Sequence, residues 1–355
     1  MNQIEQLKNL FPELFIDAFL ITDEINMQYL TNFGLTQGDG CVLVTASETY
    51  IITDARFEEA LNETNLGDVK VRIIRDYFGA VNTLCGALGL ETIGIEDTVS
   101  LRIYDALVDQ LDADIDAMDD VIETLRSVKS SSEIMRLTAS AELSSAGFEY
   151  LTQAIHVGMS ELEVANLLDA WMKQQGAQKS SFDTIVASGI NAAKPHATAS
   201  DKIIQSGDSV VLDFGYFLDN YTSDITRTVV MGEASEQIKE IYGVVLAASQ
   251  AVITTAKAGA NGQELDAAGR NIIDQAGYSQ QFNHGMGHGI GMSVHELPAS
   301  YGPNSSLKLK SNQIITVEPG IYLPNLGGVR IEDDILITEN GHEVLTTANK
   351  ELLIL

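Results

Sequence analysis

Ser209-Val-Val-Leu-Asp-Phe-Gly215 decides how this chain reads, because an acid interrupts what is otherwise an apolar β-strand. Ile314-Ile-Thr-Val-Glu-Pro-Gly320 repeats the pattern, with an acid-x-Gly at the same place. A carboxylate in an apolar strand is costly to bury unless something positive meets it. Each acid has a second one downstream, Asp224 and Glu332, and no Lys or Arg is spaced to neutralise all four. A pair of metal ions is the natural partner.

Hairpin arithmetic turns the spacing into a site. In the first hairpin, Val210 to Val230, a turn around Leu218-Asp219 would set Asp213 directly opposite Asp224. The second, Ile314 to Ile337, turns around Pro324 to Gly328; centred on Asn325, it would set Glu318 opposite Glu332. Directly opposed residues share a face, with Cβ atoms roughly 4.5–5.5 Å apart. Such like-charged pairs would repel without cations between them. Pro319 biases Glu318 towards an extended backbone.

Between the hairpins lies Asn283-His-Gly-Met-Gly-His-Gly-Ile-Gly-Met-Ser-Val-His-Glu296, which holds three of the chain's six histidines. His288 is the central nitrogen donor. Four carboxylates and one imidazole suit Mn²⁺ best, with Co²⁺, Fe²⁺ or Zn²⁺ also able to enter such a set. So many carboxylates favour two ions over one. His156, near a helix end, and His342, in a polar turn, read as structural.

Composition narrows the class. The formal charge is −29, from 50 acids against 21 bases, which argues against nucleic acid and an anionic membrane surface. No apolar run is long enough to span a bilayer. The N-terminus lacks a basic segment followed by an apolar core, so no secretory signal is read. Only Cys41 and Cys85 occur, which fits a reducing compartment. The expected location is the cytoplasm.

Two domains are expected, 1–125 and 126–355. In the first, the strands Ala18–Thr22, Cys41–Thr45 and Tyr50–Thr53 alternate with helical patterns at Ala55–Leu61 and Tyr77–Leu88, giving an α/β domain on one mixed sheet. The boundary is the polar, Ser-rich Arg126-Ser-Val-Lys-Ser-Ser-Ser-Glu133. Ser130 with Glu133, and Ser160 with Glu163, are capping boxes opening helices that run to about His156 and Gln175. Further helices follow Ser235 and Asn261, the latter closed by Gly277. Helices thus precede an acid-bearing hairpin twice, a weak internal repeat.

At these residues the chain resembles the pita-bread metallopeptidases, and within them the aminopeptidase P and prolidase branch. The words that carry the likeness are Ser223-Asp-Ile-Thr-Arg-Thr228, Gly287-His-Gly-Ile-Gly291, Val294-His-Glu296, Val317-Glu-Pro-Gly-Ile-Tyr322 and Gly328-Val-Arg-Ile-Glu-Asp-Asp334. The family's ligand order falls on Asp213, Asp224, His288, Glu318 and Glu332. Asn191-Ala-Ala-Lys-Pro-His196 resembles the segment that supplies a further active-site histidine, His196, although Ile190 and Lys194 depart from the pattern. Residues 1–125 resemble the creatinase-like N-terminal domain. The fold implied is α+β: a pita-bread catalytic domain with a pseudo-twofold repeat behind that α/β domain.

The resemblance implies hydrolysis of the bond between an N-terminal residue and proline by a dinuclear enzyme. Two ions would lower the pKa of a water between them. Glu318 would shuttle its proton. His196 and His295 would polarise the scissile carbonyl, His284 would line the pocket, and Tyr322 and Arg330 would orient substrate or support the ligands. A structural ion pair is an equally good reading of Arg330. A homodimer or larger assembly is implied. Of two readings, aminopeptidase P ranks above Xaa-Pro dipeptidase, because no Lys or Arg between His295 and Lys308 awaits a dipeptide's carboxylate. A metal-free binding module or creatinase-like hydrolase is remote, since all five ligand positions are retained. Methionine aminopeptidase is disfavoured by the large N-terminal domain.

Overall fold

Three strands at the centre of the first sheet, Ala18–Ile21, Gly40–Thr45 and Thr49–Thr53, are buried at every residue, which explains their largely apolar spelling. The computed structural model describes residues 2–355. They divide into a unit ending at Arg126 and a unit spanning Ser127–Leu355. In the first, Lys70–Ile73, Thr92–Glu96 and Asp114–Met118 complete a six-stranded sheet. The three central strands pair antiparallel and the outer ones parallel, so the sheet is mixed as expected. The Tyr77–Leu88 helix is capped by Asp76 and closes on Gly89 in the left-handed region.

The helix expected over Ala55–Leu61 is shorter and later, Glu58–Glu63. Asp54 explains the difference: its carboxylate accepts the Arg56 backbone N–H and the Arg56 guanidinium, which holds the entry as a turn. No helix among the described residues is long and apolar enough to cross a membrane.

The second unit repeats one plan, a helix pair followed by a sheet. Ser131–Ala154 and Glu161–Gln174 both open on the two capping boxes read from sequence. Their apolar faces (Phe148, Leu151, Val164, Leu168) pack with Leu212, Phe214 and Ile225 of a four-stranded sheet. Glu236–Thr255 and Gly262–Gln275 pack in the same way against Ile315, Val317, Ile335 and Ile337 of a five-stranded sheet. Gly277 follows the last helix at φ 88°. Because side chains alternate across a strand, residues between these core positions (Asp213, Thr226, Thr316, Asp334) point to the opposite side. An isolated bridge between Thr226 and Glu332 joins the two sheets there.

The second hairpin has the expected register: Val317 pairs with Asp333 and Gly320 with Arg330, which brackets Glu318 and Glu332 at the same index sum. Asn325 sits at its tip at φ 68°. The first hairpin does not. Asp213 pairs with Thr226, not Asp224. The cause lies in the turn, where Asp219 and Asn220 both take positive φ, 49° and 66°. Two such central residues make the type I′ turn favoured in two-residue hairpins. Leu218 and Tyr221 exchange hydrogen bonds across it at 2.9 and 3.1 Å. The turn centre therefore moves by half the two-residue slip in pairing. A slip of two keeps the face, so Asp224 stays on the side of Asp213, just before the strand Ile225–Val230.

The turn makes a prediction. Asn220→Val puts a β-branched residue in the left-handed region and should lower stability by about 1–2 kcal/mol in chemical denaturation. An unchanged midpoint would contradict the turn geometry.

Candidate active site

The site is assembled from the middles and ends of strands in the second unit, which hold backbone better than loops do. Asp213 is the penultimate residue of the strand Ser209–Phe214, on its inner face, and Asp224 immediately precedes Ile225–Val230. His288 is the middle residue of Gly287–Gly289. Glu318 follows Ile314–Val317, with its N–H donated to the Met286 carbonyl at 2.9 Å. Glu332 lies between Gly327–Arg330 and Asp333–Ile337, its N–H bonded to the Thr226 carbonyl at 3.0 Å. Gly287 is obligatory here: a Cβ would stand 2.0 Å from the Thr316 carbonyl oxygen.

Together these side chains line one cavity of about 310 Å³, along with Phe182, Ile185, Pro195, His196, His284, His295, Ser300 and Arg330. Donor atoms of Asp224, His288 and Glu332 lie within 4.8 Å of one another. His288 Nε2 is 3.8 Å from both Asp224 Oδ2 and Glu318 Oε1. Its Nδ1 lies 3.1 Å from the Gly289 carbonyl, which fixes the tautomer that leaves the Nε2 lone pair facing the acids. Burial, followed by the charge of His295, lowers its pKa to about 4. The ring is therefore neutral, as a metal ligand must be.

The carboxylates are strained electrostatically. Burial, then repulsion among Glu332, Asp213, Asp334 and Glu318, pushes Asp224 well above the usual range. Glu332 is raised for the same two reasons. Glu318 is pushed up to about 8, first by burial, with Arg330 opposing and Asp213 reinforcing. A fifth of its side chain still faces the cleft, so water screens part of that effect. Asp213 Oδ1 and Asp224 Oδ1 are buried without a hydrogen-bond partner. Orphaned carboxylate oxygens converging with a neutral imidazole fit divalent cations. Asp213, Asp224, His288, Glu318 and Glu332 could hold them.

The remaining candidates divide into two groups. His196 and His295 are exposed to the cavity, and the His295 ring lies 4.1 Å from that of His288. Tyr322 does not line the cavity. It is buried behind it, and its hydroxyl accepts from Arg330 Nη1 at 2.8 Å and meets His284 Nε2 at 2.8 Å. His284 Nδ1 is 2.9 Å from the Gly285 carbonyl, so Nε2 is free to accept the Tyr322 O–H. Arg330 is itself buried and ion-paired to Asp213, which favours the structural reading of it. His156 and His342 bond backbone carbonyls, of Val157 and Ala256, outside the cavity.

Several supporting residues escaped the sequence reading. Asp334 Oδ2 accepts the Asp224 N–H at 3.0 Å, and Thr226 Oγ1 donates to Glu332 Oε2 at 2.6 Å. Arg227, only 1% exposed, donates to the Glu332 carbonyl and to Asp333 Oδ1. The Lys129–Glu296 ion pair, 2.8 Å and almost fully buried, ties down the residue next to His295. One signal was available: Glu332-Asp333-Asp334 sets three consecutive acids at the entry to the apolar strand Asp333–Ile337.

Comparison with known proteins accords with this geometry. Residues 135–339 match the metallopeptidase family M24, and residues 3–128 match the creatinase/prolidase N-terminal domain. A curated Xaa-Pro dipeptidase of Pyrococcus horikoshii is 39% identical, covering 95% of each chain. The structure of an Xaa-Pro dipeptidase from Bacillus anthracis superposes with a TM-score of 0.95 at 41% identity, covering 99% of both chains. That of an X-Pro aminopeptidase from Thermotoga maritima gives 0.92 at 36% identity over the whole of both. The chain belongs to metallopeptidase family M24, with a creatinase/prolidase N-terminal domain ahead of a pita-bread catalytic domain.

Proposed function

We propose that this enzyme is an Xaa-Pro dipeptidase, cleaving the bond between an N-terminal residue and a C-terminal proline. The observation that carries this reading is near full-length similarity to proteins named Xaa-Pro dipeptidase, in sequence and in fold. A cavity of about 310 Å³, at the small end for small-molecule sites, accords with a short substrate. The aminopeptidase P reading drew on a missing Lys or Arg after His295. Its weakness is that a carboxylate does not require an amine: the imidazoles of His196 and His295 already face the cavity as N–H donors. It remains the second reading, supported by the Thermotoga aminopeptidase and by Arg330 being taken up with Asp213.

Asp213, Asp224, His288, Glu318 and Glu332 would hold two divalent ions, Mn²⁺ being the best match to an oxygen-rich donor set. When bound, these ions supply Lewis acidity to the attacking water and the scissile carbonyl. Glu318 takes a proton from that water as its oxygen attacks the carbonyl carbon. His196 and His295 donate to the developing oxyanion. Glu318 then passes the proton to the proline nitrogen, and the C–N bond breaks with the amine as leaving group. The tertiary amide nitrogen needs that proton to leave as a neutral secondary amine. Tyr322 and Arg330 hold His284 and Asp213 in place. Free, buried thiols at Cys41 and Cys85 support a reducing, cytoplasmic setting, and a homodimer or larger assembly completes the proposal.

Three outcomes follow. In a chain-length series, kcat/KM should be higher for Xaa-Pro than for Xaa-Pro-Xaa; the reverse order would favour aminopeptidase P. Chelation should abolish turnover and lower Tm, with Mn²⁺ restoring both, since an ion that binds only the folded state stabilises it; full activity in stripped protein would refute the metal requirement. Glu318→Gln should cut kcat by roughly 10²–10⁴-fold with circular dichroism unchanged. An active variant would remove Glu318 from the proton path.

A further inference from the structure

Glu161 is fully buried, lies outside the cavity and has no part in the chemistry above. It is the first residue of the helix Glu161–Gln174, where the helix dipole favours a negative charge. Its two oxygens accept from both ends of a single loop. At the near end, Oε1 takes the Ser188 N–H at 2.7 Å and the Ser188 hydroxyl at 2.8 Å. Asn191 Nδ2 reaches both oxygens at 3.1 Å. At the far end, Oε2 takes the Ser200 N–H at 3.2 Å and the Ser200 hydroxyl at 2.6 Å. The loop between these ends carries His196, the one site histidine that no strand or glycine-rich segment supports. Further ties come from Arg330 Nη1 to the Pro195 carbonyl at 3.3 Å, from the Leu162 N–H to the Ser200 carbonyl at 3.0 Å, and from Lys202 Nζ to the Ser188 hydroxyl at 2.7 Å.

We propose that Glu161 is a positioning residue for His196: its carboxylate closes the loop from Ser188 to Ser200 and so sets where the imidazole meets the substrate carbonyl. The inference rests on the reading of His196 as an oxyanion donor. Only a carboxylate offers acceptors on both oxygens. In Glu161→Gln the amide NH₂ would face donors at one end of the loop, so one anchor must be released while volume is kept. Misplacing a positioned group by about 1 Å can cost on the order of 10²-fold in rate. Metal occupancy should be unaffected, because none of the five ligands touches this carboxylate.

The test is a double-mutant cycle on the metal-loaded enzyme, with Glu161→Gln and His196→Ala singly and together, read as kcat and KM for an Xaa-Pro dipeptide. Glu161→Gln is expected to lower kcat roughly 10- to 100-fold at unchanged metal content. In the His196→Ala background it should cost less than about threefold, since a misplaced histidine cannot be lost twice. Multiplicative losses, or a Glu161→Gln enzyme that is less stable but fully active, would overturn the proposal. A fully active His196→Ala enzyme would instead overturn the reading of His196. If Glu161→Gln does not fold, Ser200→Ala loosens the far anchor alone and replaces it in the same cycle, with the same criteria.

Discussion

Repulsion among Asp213, Asp224, Glu318 and Glu332 is the constraint on which the second unit depends. Four carboxylates share one wall of a cavity, and three of them, Asp213, Asp224 and Glu332, are less than a tenth exposed. Arg330 is the only lysine or arginine among the described residues lining that cavity, and it pairs with Asp213. Burial and mutual repulsion lift Asp224, Glu318 and Glu332 above ordinary carboxylate behaviour. Such an arrangement stores unfavourable energy that external cations relieve. This is how a metal site is made strong: the protein withholds its own positive charge.

The cations the chain does bury are used as fasteners. Arg227 binds the Glu332 carbonyl, Asp333 and the Ala348 carbonyl, so it locks one acid-bearing strand to the C-terminal segment. Lys350 and Thr346 complete the shell of Asp333, whose carboxyl is consequently held below the ordinary value despite its burial. Asp333 and Glu332 are adjacent, yet Asp333 is ion-paired with Arg227 and Lys350 whereas Glu332 faces the cavity. Lys129 serves Glu296 in the same manner, and Glu161 uses neutral donors to hold the His196 loop. Rigid support outside the cavity permits strain inside it.

Much of this was legible in the sequence because it depends on local patterning. Acids interrupting apolar strands marked the site, and the capping boxes at Ser130 and Ser160 opened their helices where expected. The Glu318–Glu332 register was readable because Asn325 marks the hairpin tip. The Asp213–Asp224 register was misread because Leu218-Asp219 and Asp219-Asn220 are both plausible centres; Asn220, a residue tolerant of positive φ, was the signal for the second. The error left the site intact, since a slip of two residues preserves the face. What stayed hidden is long-range. Nothing near Glu161 announces Ser200, and nothing near Arg227 announces Asp333, because tertiary packing alone brings them together.

The fold therefore prepares an anionic cavity with a neutral imidazole and exposed histidine donors, in a chain of metallopeptidase family M24 whose relatives include proteins named Xaa-Pro dipeptidase. The central claim is that the acid cluster exists to hold two cations. Anomalous diffraction at the manganese edge, from crystals of Mn²⁺-loaded protein, tests it most directly. The account predicts two anomalous peaks enclosed by Asp213, Asp224, His288, Glu318 and Glu332. A loaded, active crystal with its peaks elsewhere, or with none among these side chains, would contradict it.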